Sequence, residues 1–238
     1  SSATAEDLPD LSFAGQHETL LNITGEEALL RAVVTCWSSL WTARAIGYRA
    51  RNELEQGDLA LAVIVQRLVP SEAAGVLFTA NPLTGKRDEI VIDAILGLGE
   101  ALVAGQVEPD HYVVDAATQR ILRKQLGAKA VAIVPRAEGG TAVLPVSATT
   151  RQALPDDRII ALARLGRGIA ALFGTPQDIE WAWAEGQLWI LQSRPITSLF
   201  PLPVNLPPTP LQVLFSVGAV QGVREPFTPL GRDFFRHL

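Results

Sequence analysis

The stretch Asp178 to Arg194, D-I-E-W-A-W-A-E-G-Q-L-W-I-L-Q-S-R, limits the possible folds more than any other part of the chain. Two alternating runs flank Glu185-Gly186-Gln187, the pattern of a β-hairpin. Successive strand side chains point to opposite faces. Asp178, Glu180 and Ala182 therefore share one face of the first run, and Leu188, Ile190, Gln192 and Arg194 share one face of the second. Loop length then sets the register. A two-residue loop puts Glu180 opposite Leu191. A three-residue loop over Glu185-Gly186-Gln187, with the glycine in the left-handed conformation of a bulge, puts Glu180 opposite Gln192 and Asp178 opposite Arg194. The three-residue loop is the expectation, because it gathers the carboxylates, an amide oxygen and a guanidinium on one face. It leaves Ile179, Trp181, Trp183, Trp189 and Leu191 as an apolar wall on the other.

Hard oxygen ligands a few ångströms apart suit Mg²⁺, which takes one or two carboxylates plus substrate phosphates. An arginine two residues beyond Gln192 can grip a phosphoryl oxygen bidentately. The same residues also read as a plain hairpin with one wet and one core face, since solvated carboxylates on a strand are ordinary.

D-I-E-W-A followed by L-W-I-L-Q-S-R-P-I-T resembles the end of the ATP-binding domain of the pyruvate phosphate dikinase and phosphoenolpyruvate synthase superfamily, which includes the rifampicin phosphotransferases. The opening S-S-A-T-A-E-D-L-P-D-L-S-F-A-G-Q and the later G-L-G-E-A-L-V-A-G-Q-V-E-P-D are similar to two further motifs of that family, in order. The resemblance spans about residues 1–198. It implies an α+β, ATP-grasp-like fold with largely antiparallel sheets and flanking helices. It implies Glu180 and Gln192 as Mg²⁺ ligands, Arg194 as the catalytic phosphate-holding residue, and Gly15, Thr19, Gln66 and Asp178 as further ATP contacts. In the family the β-phosphate of ATP passes to a histidine on a mobile domain, leaving AMP and phosphate, and the phosphohistidine serves pyruvate, a drug hydroxyl or another acceptor. The carrier lies in a T-x-S-H segment, and none of His17, His111 or His237 sits in one. The family's preceding arginine and upstream lysine also fall outside the chain. The expectation is the C-terminal part of an ATP·Mg²⁺-binding domain within a longer phosphotransferase, inactive alone. Its partners are a phosphohistidine domain elsewhere and a small-molecule acceptor. A rifampicin phosphotransferase-type antibiotic kinase and a non-catalytic nucleotide-binding module are the alternatives.

Composition narrows the class further. At 238 residues, 48% hydrophobic and 19% charged, the chain can bury a sizeable core. A net charge of −5 disfavours a general nucleic-acid-binding role. The single cysteine, Cys36, rules out a disulfide framework and fits a reducing, cytoplasmic setting. No run approaches the ~20 apolar residues of a membrane span. The chain has no methionine and is read as an internal piece of a longer protein.

Along the chain, Thr24 with Glu27 reads as a capping box, and Glu26 to Glu53 follows a helical period with Trp37 and Trp41 in the core and a break at Ser38-Ser39. Strands are expected over Leu59 to Val69, Ala73 to Thr79, Glu89 to Ile95, Tyr112 to Val114, Arg120 to Pro135 and Thr141 to Val146. Lys86 and Arg87 read as a solvated hairpin tip, and Glu100 and His111 as structural. Pro155 starts a helix running to Phe173, with Gly174 as its cap. After Ser198, P-L-P-V-N-L-P-P-T-P marks a stiff linker to about residue 210, and residues 211–238 begin another unit.

Overall fold

The computed structural model describes residues 19–43, 45–47, 61–147 and 151–199, together with the backbone of 2–3, 7–8 and 11–12. The chain divides into units 1–199 and 200–238, and the second lies outside the described residues, as does the expected linker. The elements in chain order are β1 (Ser2–Ala3), β2 (Asp7–Leu8), β3 (Leu11–Ser12), α1 (Glu26–Ser38), β4 (Leu61–Ala62), β5 (Ala73–Phe78), β6 (Glu89–Leu96), α2 (Glu100–Val103), β7 (Asp110–Asp115), β8 (Ile121–Gln125), β9 (Val131–Pro135), β10 (Thr141–Pro145), α3 (Asp156–Phe173), β11 (Gln177–Ala184) and β12 (Gln187–Pro195).

The centre is a six-stranded sheet in the order β12-β11-β5-β6-β7-β8, with every neighbouring pair antiparallel. Strands β1 and β4, β2 and β3, and β9 and β10 form separate two-stranded pairs. This is an α+β, ATP-grasp-like arrangement with largely antiparallel sheets.

Helix α3 covers one face of the large sheet. Pro155 pre-sets its entry, Asp156 and Asp157 sit in its first turn where the helix dipole favours acids, and Gly174 ends it at φ +72°. Its apolar stripe, Ile159, Leu162 and Ala163, packs on Leu77, Ile92, Tyr112, Ile179 and Trp181. Gly75 lies opposite Trp181 on the neighbouring strand. A Cβ there would sit 1.8 Å from the Asp93 carbonyl oxygen and 3.0 Å from the indole, so only glycine fits between β6 and the Trp181 ring.

Several elements depart from the sequence reading. The alternating run 59–69 forms a strand only at Leu61–Ala62. Residues 63–70 have no regular structure, and Ile64 and Val65 are exposed. Alternation makes a strand only where a ladder partner satisfies the backbone, and none pairs with 63–70 among the described residues. The break expected at Ser38-Ser39, by contrast, is present: helix α1 ends at Ser38 and a 3₁₀ turn follows over Ser39–Trp41, while residues 48–60 lie outside the described set. The capping box does not form. Gly25 is the N-cap, and Glu27 instead pairs with Arg31 one turn on. Trp37 and Trp41 are not core: both are more than half exposed, while Cys36 and Leu40 take the inner positions.

Candidate functional site

The hairpin of β11 and β12 reaches the expected pairs by a different route. Its loop has two residues, not three. Ala184 pairs with Gln187, and Glu185 and Gly186 both have positive φ (51° and 75°), the geometry of a type I′ turn whose twist matches the flanking strands. From that turn the register runs Trp183 opposite Leu188 and Trp181 opposite Ile190, then shifts by one residue, so that Glu180 lies opposite Gln192 and Asp178 opposite Arg194. Leu191 is left without a ladder partner as a β-bulge.

The bulge reverses which face each part of β12 presents. Leu188 and Ile190 do not share a face with Gln192 and Arg194, as strict alternation had implied; both pack with Trp183 against the α3-covered core. Trp189 and Leu191 leave the apolar wall: Trp189 is 42% exposed, and Leu191 is the half-buried bulge residue. The cause is a conflict of registers. The favoured turn would carry the polar end of β12 towards the core, and one unpaired residue lets both ends face their proper surroundings.

Directly opposed residues in antiparallel strands share a face. Glu180, Gln192, Asp178 and Arg194 therefore lie together on the sheet face away from α3. Arg194 Nε donates to Asp178 Oδ2 at 2.9 Å, with side-chain exposures of 39% and 13%. Asp178 Oδ1 is buried and accepts no hydrogen bond. Burial pushes the Glu180 carboxyl above the usual carboxylate range; the Arg194 charge pulls it down, and the Asp178 charge adds to the rise. On the core side, Gln177 fixes this end of the hairpin. Its N–H donates to Thr79 Oγ1 at 2.7 Å, and its Oε1 accepts from Ser193 Oγ at 2.9 Å.

An unused carboxylate oxygen of Asp178 lies beside the Glu180 carboxyl, the Gln192 amide and a held guanidinium. No group of three or more His, Cys, Asp or Glu side chains suited to a metal exists among the described residues. The donor set fits a metal that draws its other ligands from water and phosphate, the habit of Mg²⁺, and not one that needs a closed protein cage.

The other expected residues are spread more widely. Gln66 is exposed, and its Nε2 donates to the Leu191 carbonyl at 3.2 Å, which ties it to the hairpin. Thr19 is exposed, and no hydrogen bond links it to the hairpin among the described residues. Gly15 lies outside the described residues. The sequence reading passed over Asp93. In register across the sheet, Glu180 neighbours Val76, Val76 neighbours Asp93, and Asp93 neighbours His111, all on one face. His111 Nδ1 lies 2.7 Å from Asp93 Oδ1. The clue was a lone acid in the otherwise apolar E-I-V-I-D-A-I-L. A second hidden pair is structural: Asp110 and Lys129 are fully buried, and Asp110 also accepts from the N–H groups of Gly127 and Ala153. Lys86 pairs with Glu89 at 2.6 Å on the hairpin tip, while Arg87 is half-buried.

The sequence matches the family of the pyruvate phosphate dikinase AMP/ATP-binding domain over residues 1–201. It is 48% identical to a rifampicin phosphotransferase of Bacillus subtilis over 99% of this chain and 27% of that protein. A rifampicin phosphotransferase of Streptomyces sviceus is 45% identical over 99% of this chain and 27% of its own length. A phosphoenolpyruvate synthase of Pyrococcus furiosus is 46% identical over 84% of this chain and 26% of its own length. The chain thus spans about a quarter of the length of these relatives.

Proposed function

Since the chain belongs to the pyruvate phosphate dikinase AMP/ATP-binding domain family, we propose that it supplies the ATP·Mg²⁺-holding surface of a dikinase-type phosphotransferase. The observation that carries this reading is the pairing of Glu180 with Gln192 and of Asp178 with Arg194 on the sheet face away from α3, with a buried Asp178 oxygen left without a hydrogen bond. Glu180 and Gln192 hold Mg²⁺, which when bound neutralises phosphate charge. Arg194, oriented by Asp178, grips the phosphates and stabilises the charge that grows as the bond breaks. Gly15, Thr19 and Gln66 contact the rest of the nucleotide.

The β-phosphate passes to a histidine on another domain, and this chain alone does not turn over. One specific observation favours a rifampicin phosphotransferase-type protein over a phosphoenolpyruvate synthase. Similarity to the former runs through 99% of the chain, while for the latter it covers 84%. No helix among the described residues is long and apolar enough to cross a membrane; the single cysteine supports a cytoplasmic setting.

The test is calorimetric titration of ATP into the full-length protein with and without Mg²⁺, followed by an assay for AMP with rifampicin or pyruvate as acceptor. Mg²⁺-dependent binding and rifampicin-dependent AMP release are expected. ATP binding without AMP release under any acceptor would favour a non-catalytic nucleotide module, and no ATP binding would overturn the proposal.

A further inference from the structure

The bulge at Leu191 is one residue more than the register needs. Starting from the same turn, a strand lacking Leu191 would run regularly and still set Ile190 opposite Trp181 and Gln192 opposite Glu180. The extra residue therefore does something besides choosing the pairs. It sits in β12, the edge strand of the sheet, immediately before Gln192, and its carbonyl accepts from Gln66 Nε2 at 3.2 Å. Gln66 lies in the irregular stretch between β4 and β5, a part of the chain with exposed Ile64 and Val65 and no ladder to hold it. Burial of Ile190 favours this register, but an edge strand has one ladder partner only, and the unpaired residue of its bulge can migrate along the strand when no further contact fixes it. Slippage by one step would turn Gln192 to the opposite face from Glu180.

We propose that Gln66 is a positioning residue: by donating to the Leu191 carbonyl it pins the bulge, and so holds Gln192 and Arg194 on the face of Glu180 and Asp178. This rests on the ATP·Mg²⁺ reading for its functional consequence, but not for the latch itself. Gln66 Oε1 remains available to a nucleotide, so a direct contact and the latch coexist. The latch acts through Gln192 and therefore bears on the metal, whereas a direct contact bears on the nucleotide whether metal is present or not.

The test uses the full-length protein and the variants Gln66→Leu, deletion of Leu191, and both together. In the ligand-free state, hydrogen–deuterium exchange of the segment covering 190–194 is expected to quicken roughly fivefold in Gln66→Leu, the effect of losing one ordinary hydrogen bond. Unchanged exchange would overturn the latch, whatever the protein binds. Gln66→Glu, which keeps the shape but has no donor when ionised, is expected to behave as Gln66→Leu; wild-type protection in that variant would also count against the proposal. With ATP present, the Mg²⁺ concentration for half-maximal binding is expected to rise roughly fivefold in Gln66→Leu, and to stay near the wild-type value in the Leu191 deletion and in the double variant, where no bulge remains to slip. An undiminished effect of Gln66→Leu in the deletion background would mean that Gln66 acts apart from Leu191 and would overturn the proposal. If the wild type binds no ATP, the functional reading fails while the exchange measurement still decides the latch.

Discussion

The two halves of the hairpin obey opposite rules although they belong to the same pair of strands. Near the turn, Trp181, Trp183, Leu188 and Ile190 face α3 and the core. Beyond the bulge, strand β12 turns Gln192 and Arg194 to the other face, beside Glu180 and Asp178. The first half is fixed by burial, which tolerates only apolar side chains. The second keeps charged and amide groups together with incomplete hydrogen bonding, a state that costs stability and that a bound cation and phosphate would relieve. The difference teaches that the bulge is a boundary between a region held by apolar burial and a polar one, which the proposed function assigns to binding.

The largest effect is expected in the binding half. Arg194→Ala should cut AMP formation by about 10³-fold or more in the full-length protein, as when a transition-state cation is removed, while ATP binding partly survives. Equal turnover would erase the functional side of the comparison. The matching change in the stability half, Trp181→Ala, should cost about 3–5 kcal/mol by removing a fully buried ring. Chemical denaturation would read this as a lower midpoint. Trp189→Ala, at a position 42% exposed, should cost well under half as much. Similar losses at the two tryptophans would mean that Trp189 belongs to the core wall after all.

Gly186→Ala is next in size. It asks a residue with a Cβ to hold φ 75° and should destabilise by about 1 kcal/mol, measurable by thermal melting. No loss would argue against the two-residue turn.

The smallest effect concerns pH. The folded-state carboxyl of Glu180 titrates above its unfolded value, chiefly through burial. The folded state thus binds that proton more tightly. Its stabilising contribution is fully present below the unfolded pKa and is lost as pH rises through the folded one. Glu180→Gln should therefore raise the melting temperature of the ligand-free protein at neutral pH while removing Mg²⁺-dependent ATP binding. A lowered melting temperature would show that the carboxylate is satisfied in the apo state.

How much of this was legible follows from the same boundary. The α3 stripe and its Pro155 and Gly174 ends could be read directly, because periodicity and end signals are local. The pairs Glu180–Gln192 and Asp178–Arg194 were also anticipated, but by the wrong device: a wider loop was invoked where the protein uses a tight turn and a bulge. A bulge has no composition signal of its own; it arises because Ile190 must be buried and Gln192 must not. The 59–69 run and the exposed Trp37 and Trp41 were misread for a related reason. Alternation and helical period describe what a segment can pack against, and say nothing about whether a partner is there. Asp93 and His111 meet across two adjacent strands, and they join the face of Glu180 only through a four-strand register that no local pattern displays.

The central claim is that Glu180 and Gln192 jointly hold the metal of a bound ATP. Electron paramagnetic resonance of Mn²⁺ added with ATP to the full-length protein, in place of Mg²⁺, tests it directly. The account predicts a tightly bound Mn²⁺ signal in the wild type that weakens sharply in Glu180→Gln and in Gln192→Leu. An unchanged signal in both variants would contradict it.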